Sequence, residues 1–205
     1  MKTVIVDYGM GNLRSVQKAI ESLGFVADIT SDPAALDLAD KVILPGVGEF
    51  GTAMHELEER KLLQPVKDVI AAGKPVMGIC LGMQLLLDGS EESPDAAGLG
   101  AIKGVCRKFM PAHKMPVPQM GWNNVCFEES RPDVVRMFDG IPQNSYYYFV
   151  HSYYADCENA AVAACTEYGH RYPSVLLKGN LFAAQFHPEK SQTNGLRLLK
   201  NFLTL

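Results

Sequence analysis

Over the first hundred residues the apolar positions switch between two spacings. Short continuous runs at Thr3–Val6, Phe25–Ile29 and Lys41–Leu44 suit β-strands. Between the first two, Leu13, Val16, Ile20 and Leu23 recur at three- and four-residue steps and stop at Gly24, which predicts a helix. A polar-faced helix from about Thr52 to Leu63, a strand from Pro75 to Ile79 and an apolar helix starting just after Cys80 continue the alternation. This rhythm predicts an α/β fold with a mostly parallel sheet and helices on both faces. Ligands of such a sheet gather at the carboxyl ends of its strands.

From Gly98 to Val175 the pattern becomes β-rich, with runs at Asn124–Phe127, Tyr146–Val150, Ala160–Thr166 and Ser174–Leu177 between Gly, Pro and Asn turn signals. The opening style then returns. A strand from Leu181 to Phe186 is followed by a turn at His187-Pro188-Glu189 and a helix over about Thr193–Phe202, with Leu196, Leu199 and Leu203 on one face. No repeat, low-complexity tract or long linker divides the chain, so one domain over residues 1–205 is expected, its second half partly antiparallel.

Composition narrows the function classes. Hydrophobic residues make up 47% of the 205, enough to fold around a core, and the net charge of −4 argues against a nucleic-acid binder. The charge-free stretch around the most apolar part of the chain, Pro75–Leu87, is thirteen residues, short of the roughly 18 a membrane span needs. Asp7 ends the first apolar run after three residues, so the N-terminus reads as a strand and not a signal peptide, and a cytoplasmic protein is expected. The five cysteines include no C-x-x-C pair and fit neither a disulfide framework nor a zinc site, so reduced thiols and no metal are expected. Cys106, Cys126, Cys157 and Cys165 lie in strand-like stretches and read as small buried hydrophobes.

Gly46-Val47-Gly48-Glu49-Phe50-Gly51 matches G-x-G-x-x-G after a strand. A dinucleotide fingerprint opens on the first strand of its unit and carries an acid at the end of the next, whereas the nearest acid here, Asp68, sits in a helical stretch. In Gly9-Met10-Gly11-Asn12, Arg14 replaces the third glycine, and there is no phosphate loop. No cofactor is expected.

Gly78-Ile79-Cys80-Leu81-Gly82 is the thiol form of the nucleophile elbow, in its expected strand-turn-helix setting. Two glycines allow the sharp turn, and the helix that follows aims its N-terminal N–H groups at the sulfur. Such a thiol needs a base. His187 alone among the five histidines ends a strand in an apolar setting, and Pro188 holds it extended, so Glu189, two residues on, points to the same side and can fix the ring. Cys80, His187 and Glu189 then form a triad. His55 reads as a solvated surface residue, His113 and His170 as turn residues, and His151 as a lining residue without a nearby carboxylate. The Leu81 N–H and the loop Gly46-Val47-Gly48, supplying Val47 or Gly48, are the candidate oxyanion donors.

These segments resemble the class I (triad) glutamine amidotransferases over essentially the whole chain, with their flavodoxin-like fold. The elbow and Phe186-His187-Pro188-Glu189 mark the class. Asp7-Tyr8-Gly9-Met10-Gly11-Asn12-Leu13, Met120-Gly121-Trp122-Asn123, Tyr148-Phe149-Val150-His151-Ser152-Tyr153 and Lys190-Ser191 are similar to its histidine-biosynthetic branch. The resemblance implies hydrolysis of L-glutamine to glutamate and ammonia, with Cys80 as nucleophile, His187 as proton shuttle and Glu189 orienting it. It further implies ammonia transfer to a (β/α)8-barrel cyclase subunit in a heterodimer, whose products are imidazole glycerol phosphate and an aminoimidazole carboxamide ribotide. Gly48, Gln84, Glu92, Ser152 and Tyr153 match glutamine-binding positions, Glu92 as counter-charge to the α-ammonium. Asn12, Gln119, Met120, Trp122, Tyr148 and Lys190 match positions near the cyclase face, and the Gly46–Gly48 loop is the element expected to rearrange when the partner is loaded. A Cys-His-Glu peptidase, a glutaminase of another synthase and a silent regulatory subunit are the competing readings. The Met-Gly-Trp-Asn and Lys190-Ser191 segments argue against the first two, and the intact triad against the third.

Overall fold

The computed structural model describes residues 1–110 and 115–205; His113 lies outside the described residues. The parallel half is built from β1 (Thr3–Val6), β2 (Ala27–Thr30), β3 (Lys41–Gly46), β4 (Val76–Cys80) and β12 (Leu181–Ala184). The antiparallel half adds β7 (Gln119–Phe127), β8 (Ser145–His151), β10 (Val162–Glu167) and β11 (Arg171–Lys178). Together they form one nine-stranded sheet in the order β2-β1-β3-β4-β12-β11-β10-β7-β8. The first five run parallel and every later neighbour is antiparallel, so a parallel sheet continues into an antiparallel part, as expected. A second sheet of β5 (Gly89–Ser90), β6 (Gly104–Lys108) and β9 (Tyr153–Cys157) stands apart from it.

The central parallel strands β1, β3, β4 and β12 are buried at every position because both faces are covered. Ile5 and Ile43 pack with Val16 and Ile20 of α1 (Leu13–Ser22) and Leu198 and Phe202 of α7 (Gln192–Leu203). Their neighbours Val4, Val6, Val42 and Leu44 face the other way, onto Leu36 of α2 (Pro33–Asp37), Phe50 and Leu57 of α3 (Phe50–Glu59) and Val66 of α4 (Leu63–Ala71). A short helix α6 (Pro132–Met137) joins the first group.

The predicted helix at Thr52–Leu63 begins earlier and divides. Glu49 caps it, accepting from the backbone N–H of Gly51 (3.0 Å) and Thr52 (2.7 Å), so the first turn starts at Phe50. Lys61, in the left-handed region at φ 60°, ends that run before α4 begins. Lys41, 2% exposed, donates from Nζ to the carbonyls of Phe202 (3.1 Å), Leu203 (2.6 Å) and Leu205 (3.2 Å). The start of β3 thereby caps the C-terminal end of α7. Among the described residues no helix is long and apolar enough to cross a membrane.

Candidate active site

Strand register brings the site together. In β4 and β12, Ile79 lies beside Ala184, so Cys80 and Gln185 leave the sheet side by side, with His187 two residues further on. On the other flank, Gly46 at the end of β3 lies beside Cys80.

Cys80 turns directly into α5 (Leu81–Leu85) with φ 55° and ψ −110°, a left-handed conformation that a non-glycine residue adopts at a cost of roughly 1–3 kcal/mol. The flanking glycines make the turn possible. A Cβ on Gly78 would lie 2.8 Å from the Gly82 carbonyl oxygen, and one on Gly82 would collide with the Leu44 carbonyl. The elbow is therefore wedged between β4 and β3, and the thiol is carried to the top of the sheet, where Gln185 Nε2 donates to Sγ at 3.8 Å.

His187 has extended backbone (φ −97°, ψ 96°), but Pro188–Lys190 is a 3-10 turn and not a continuing strand. The expected pairing with Glu189 forms by a different route: the turn folds the carboxylate back onto the ring, Nδ1 to Oε1 2.8 Å, with both side chains at most 2% exposed. Ser191 Oγ donates to the His187 carbonyl at 2.6 Å and the His187 N–H donates to the Tyr148 carbonyl at 2.9 Å, which fixes the loop. Nδ1 carries the proton given to Glu189, so Nε2 is the free edge of the ring; it is buried with no hydrogen-bond partner among the described residues. Burial opposes protonation of His187, but Cys80 and the Glu189 carboxylate outweigh it and push the imidazole up to about 10.

Cys80 and His187 line one cavity of about 280 Å³ together with Val47, Gly48, Leu81, Gln84, Glu92, Ser152 and Tyr153. The structure thus gathers all the candidate oxyanion and glutamine-binding residues at one site, with Glu189 directly behind His187. Glu92 accepts from the Phe50 N–H at 2.9 Å, and burial raises its carboxyl above the ordinary range despite that bond. Gln84 is tied into the wall, Nε2 donating to the Tyr153 carbonyl and to Gln185 Oε1, both at 3.1 Å.

Pro118, Val150 and His151 also line the cavity. His151 Nδ1 lies 2.8 Å from the Tyr153 carbonyl, which only accepts, so Nδ1 carries the hydrogen. Burial above all, with His187 nearby, lowers His151 to about 4, so its Nε2 is a bare acceptor, 3.2 Å from Tyr172 Oη. Tyr172 Oη is in turn 2.8 Å from the Gln119 amide oxygen, and Gln119 Nε2 is buried without a partner. Rotating that amide by half a turn gives the chain one direction, Gln119 donating to Tyr172, Tyr172 to His151, and His151 to the Tyr153 carbonyl.

The expected partner-face residues divide. Met120 and Trp122 are 65% and 47% exposed on one side of β7, beside half-buried Tyr148, whose ring lies under Lys190 Nζ at 5.8 Å. Asn12 is half-buried, accepting from Ser15 Oγ at 2.8 Å. Gln119 is 2% exposed and presents no side chain to a partner; β-strand alternation turns it inward between the outward Met120 and the sheet. His55 is exposed on α3, as expected. Of the four cysteines expected to be buried, only Cys106 is; Cys126 is exposed and Cys165 intermediate, because each lies on the strand face opposite core-packed Phe127 and Ala164, and Cys157, at the end of β9, is intermediate. Gln185 was not legible beforehand: an apolar run with one glutamine gives no sign that its amide meets a sulfur.

A family profile described as "Glutamine amidotransferase class-I" matches residues 4–205. This chain is a class I glutamine amidotransferase. A Bacillus cereus protein named imidazole glycerol phosphate synthase subunit HisH is 48% identical over 198 residues, covering 97% of this chain and 92% of the relative. A Bacillus mycoides protein of the same name matches with the same identity and coverage. Among solved structures, a glutamine amidotransferase aligns with a TM-score of 0.75 at 20% identity, covering 98% of this amidotransferase and 97% of the other chain. PurLQS from Thermotoga maritima aligns at 0.74 and 20%, covering 99% and 97%. These last two establish the shared fold.

Proposed function

We propose that this amidotransferase is the glutaminase subunit of an imidazole glycerol phosphate synthase, acting in the cytoplasm and in histidine biosynthesis. The observation that carries the reading is the elbow thiol of Cys80 facing one cavity with a Glu189-backed His187, in a chain nearly half identical, end to end, to proteins of that name.

In this reading the Cys80 sulfur attacks the side-chain amide carbon of L-glutamine. The oxygen of the tetrahedral intermediate takes hydrogen bonds from the backbone N–H of Leu81 and of Val47 or Gly48. His187, held protonated, gives its Nε2 proton to the departing nitrogen, and ammonia leaves a thioester on Cys80. Neutral His187 then takes a proton from water as its oxygen attacks the thioester, and glutamate is released with the thiol restored. Glu92 meets the α-ammonium of glutamine, while Gln84, Ser152 and Tyr153 shape the wall around it. Ammonia passes to a cyclase subunit of (β/α)8-barrel type docked on the face carrying Met120, Trp122, Tyr148 and Lys190, with Asn12 at its margin. The cyclase converts it into imidazole glycerol phosphate and the aminoimidazole carboxamide ribotide. The Gly46–Gly48 loop rearranges when the partner is loaded, completing the oxyanion site.

The test is glutamate release from glutamine by the purified chain, alone and with a cyclase subunit saturated with its ribonucleotide ligand. Strong stimulation by the loaded partner is expected, together with loss of turnover in Cys80→Ala. High activity indifferent to the partner would move the protein to another amidotransferase, and turnover retained by Cys80→Ala would overturn the mechanism.

A further inference from the structure

Away from the cavity, β7 and β10 place two cysteines directly opposite each other, Cys126 against Cys165. The phase of the ladder is fixed by the Glu128 N–H, which donates to the Ala163 carbonyl at 2.9 Å. Two residues along, Cys126 and Cys165 are again a hydrogen-bonded pair, with a Cα separation of about 5.5 Å in an antiparallel ladder. Disulfides span Cα distances of roughly 4.4–6.8 Å but bring the Cβ atoms to roughly 3.5–4.5 Å, closer than the roughly 5.5 Å of a hydrogen-bonded pair, so closing this one draws the strands together and leaves the bond easily reduced. The intervening pair, Phe127 and Ala164, turns into the core. The two thiols therefore share the opposite, outer side, where both line the same surface depressions together with Arg171. Cys126 is exposed and Cys165 partly so. Arg171 lines both depressions beside Cys165, whose proximity raises the guanidinium above the ordinary arginine value, so a cation stands near one sulfur of the pair.

We infer that Cys126 and Cys165 form a reversible dithiol-disulfide site, open to hydroperoxides and to small-molecule disulfides. With hydrogen peroxide, the Cys165 sulfur attacks one peroxide oxygen; the O–O bond breaks, a sulfenic acid forms and one water leaves. The Cys126 sulfur then attacks that sulfur, the S–O bond breaks, and a second water leaves with the remaining thiol proton. Two thiols are oxidised to one disulfide and one peroxide is reduced to two waters. Arg171 meets the negative charge that develops on Cys165 as its proton departs. Cys157 is a poor substitute for Cys126, since burial and then Asp156 and Glu158 push its thiol up to about 11.

The test is mass mapping of the full-length chain after brief exposure to a few equivalents of hydrogen peroxide and alkylation of the remaining thiols. A peptide pair joined through Cys126 and Cys165, two hydrogens lighter than the reduced pair and restored by dithiothreitol, is expected. In Cys126→Ser the sulfenic acid on Cys165 should persist long enough to be trapped by dimedone. Arg171→Gln should slow loss of the Cys165 thiol by about threefold, since the guanidinium is exposed and screened. Linkage of Cys165 to Cys157, or both thiols still free once Cys80 is fully oxidised, would overturn the inference. An unchanged rate in Arg171→Gln would overturn the part assigned to the cation. Because the readout is mass and not turnover, the result is independent of the proposed glutaminase activity.

Discussion

His151 Nε2 and Tyr172 Oη stand 3.2 Å apart in the interior behind the cavity. This contact fixes the histidine tautomer, because Nδ1 must keep its hydrogen for the Tyr153 carbonyl. Tyr172→Phe removes the donor and leaves Nε2 unpaired, at a cost of roughly 1–3 kcal/mol. The ring can recover only by moving its hydrogen to Nε2, which sets Nδ1 lone pair against carbonyl oxygen and displaces the Ser152–Tyr153 wall. Steady-state kinetics should record a rise in glutamine KM of about fivefold or more with a smaller change in kcat. Nitrogen NMR of His151 should report a mixed tautomer. An unchanged KM would reduce Tyr172 to a packing residue.

Glu189 acts on His187 through charge as well as orientation. With His187 held near 10, thioester formation keeps its proton donor well above neutrality, and the donor is lost as pH rises through that value. Removing the carboxylate charge in Glu189→Gln takes away one of the two groups that raise the imidazole, so the alkaline limit of the first ammonia burst should move to lower pH. His187→Asn should cost more than Glu189→Ala, about 10³-fold or beyond in kcat. Burst amplitudes across pH, with equal alkaline limits in wild type and Glu189→Gln, would count against this coupling.

Glu92 makes the opposite pH prediction. Its carboxyl is raised by burial, so as pH falls it gains a proton sooner than an ordinary glutamate. Glutamine KM should therefore climb on the acid side earlier than a solvated carboxylate would dictate, and Glu92→Gln should flatten that limb while raising KM at neutral pH by about tenfold.

Trp122 is half exposed beside Tyr148, ring centroids 6.2 Å apart and edge to face. Its removal opens no core cavity, so Trp122→Ala should leave the melting temperature within a few degrees of wild type. As an aromatic anchor it should nonetheless weaken cyclase binding by roughly tenfold or more. Titration of the partner by calorimetry separates the two effects, and unaltered affinity would relocate the interface.

Gly82→Ala tests the elbow as architecture. The added methyl meets the Leu44 carbonyl, a backbone atom held in β3, so neither partner can yield cheaply. A loss of about 3 kcal/mol in unfolding free energy is expected, in the upper range for single substitutions. Cys80→Ala should lose far less, because the thiol leaves the backbone contacts of the turn unchanged.

The sequence made most of the parallel half legible because β1, β3, β4 and β12 lie in short apolar runs and α1 and α7 keep a periodic face. Thr3–Val6 matches β1 to the residue, and Gly24 lies just beyond α1. The elbow and the His-Pro-Glu turn were equally readable, since their chemistry depends on neighbours one or two positions away. β6 and β9 escaped because they pair with each other, and β6 with the two-residue β5, across long separations, leaving no local period. Gln185 and the Tyr172–His151 contact escaped for a related reason: both depend on strand register, which brings together residues 105 and 21 positions apart. Gln119 shows the limit of position matching, since a one-residue step along β7 separates an outward side chain from a buried one.

The place of β12 in the sheet also sets a timetable. Among the described residues it is the last strand, yet it lies between β4 and β11, joining the parallel half to the rest. A ribosome releasing this polypeptide from its N-terminus therefore exposes an open edge at β4, the nucleophile's own strand, until Leu181–Ala184 emerges. Lys41 waits just as long for the carbonyls of Phe202, Leu203 and Leu205. Thiol and imidazole meet only after β12 and His187 have emerged, so a nascent chain truncated before them carries the cysteine without its base.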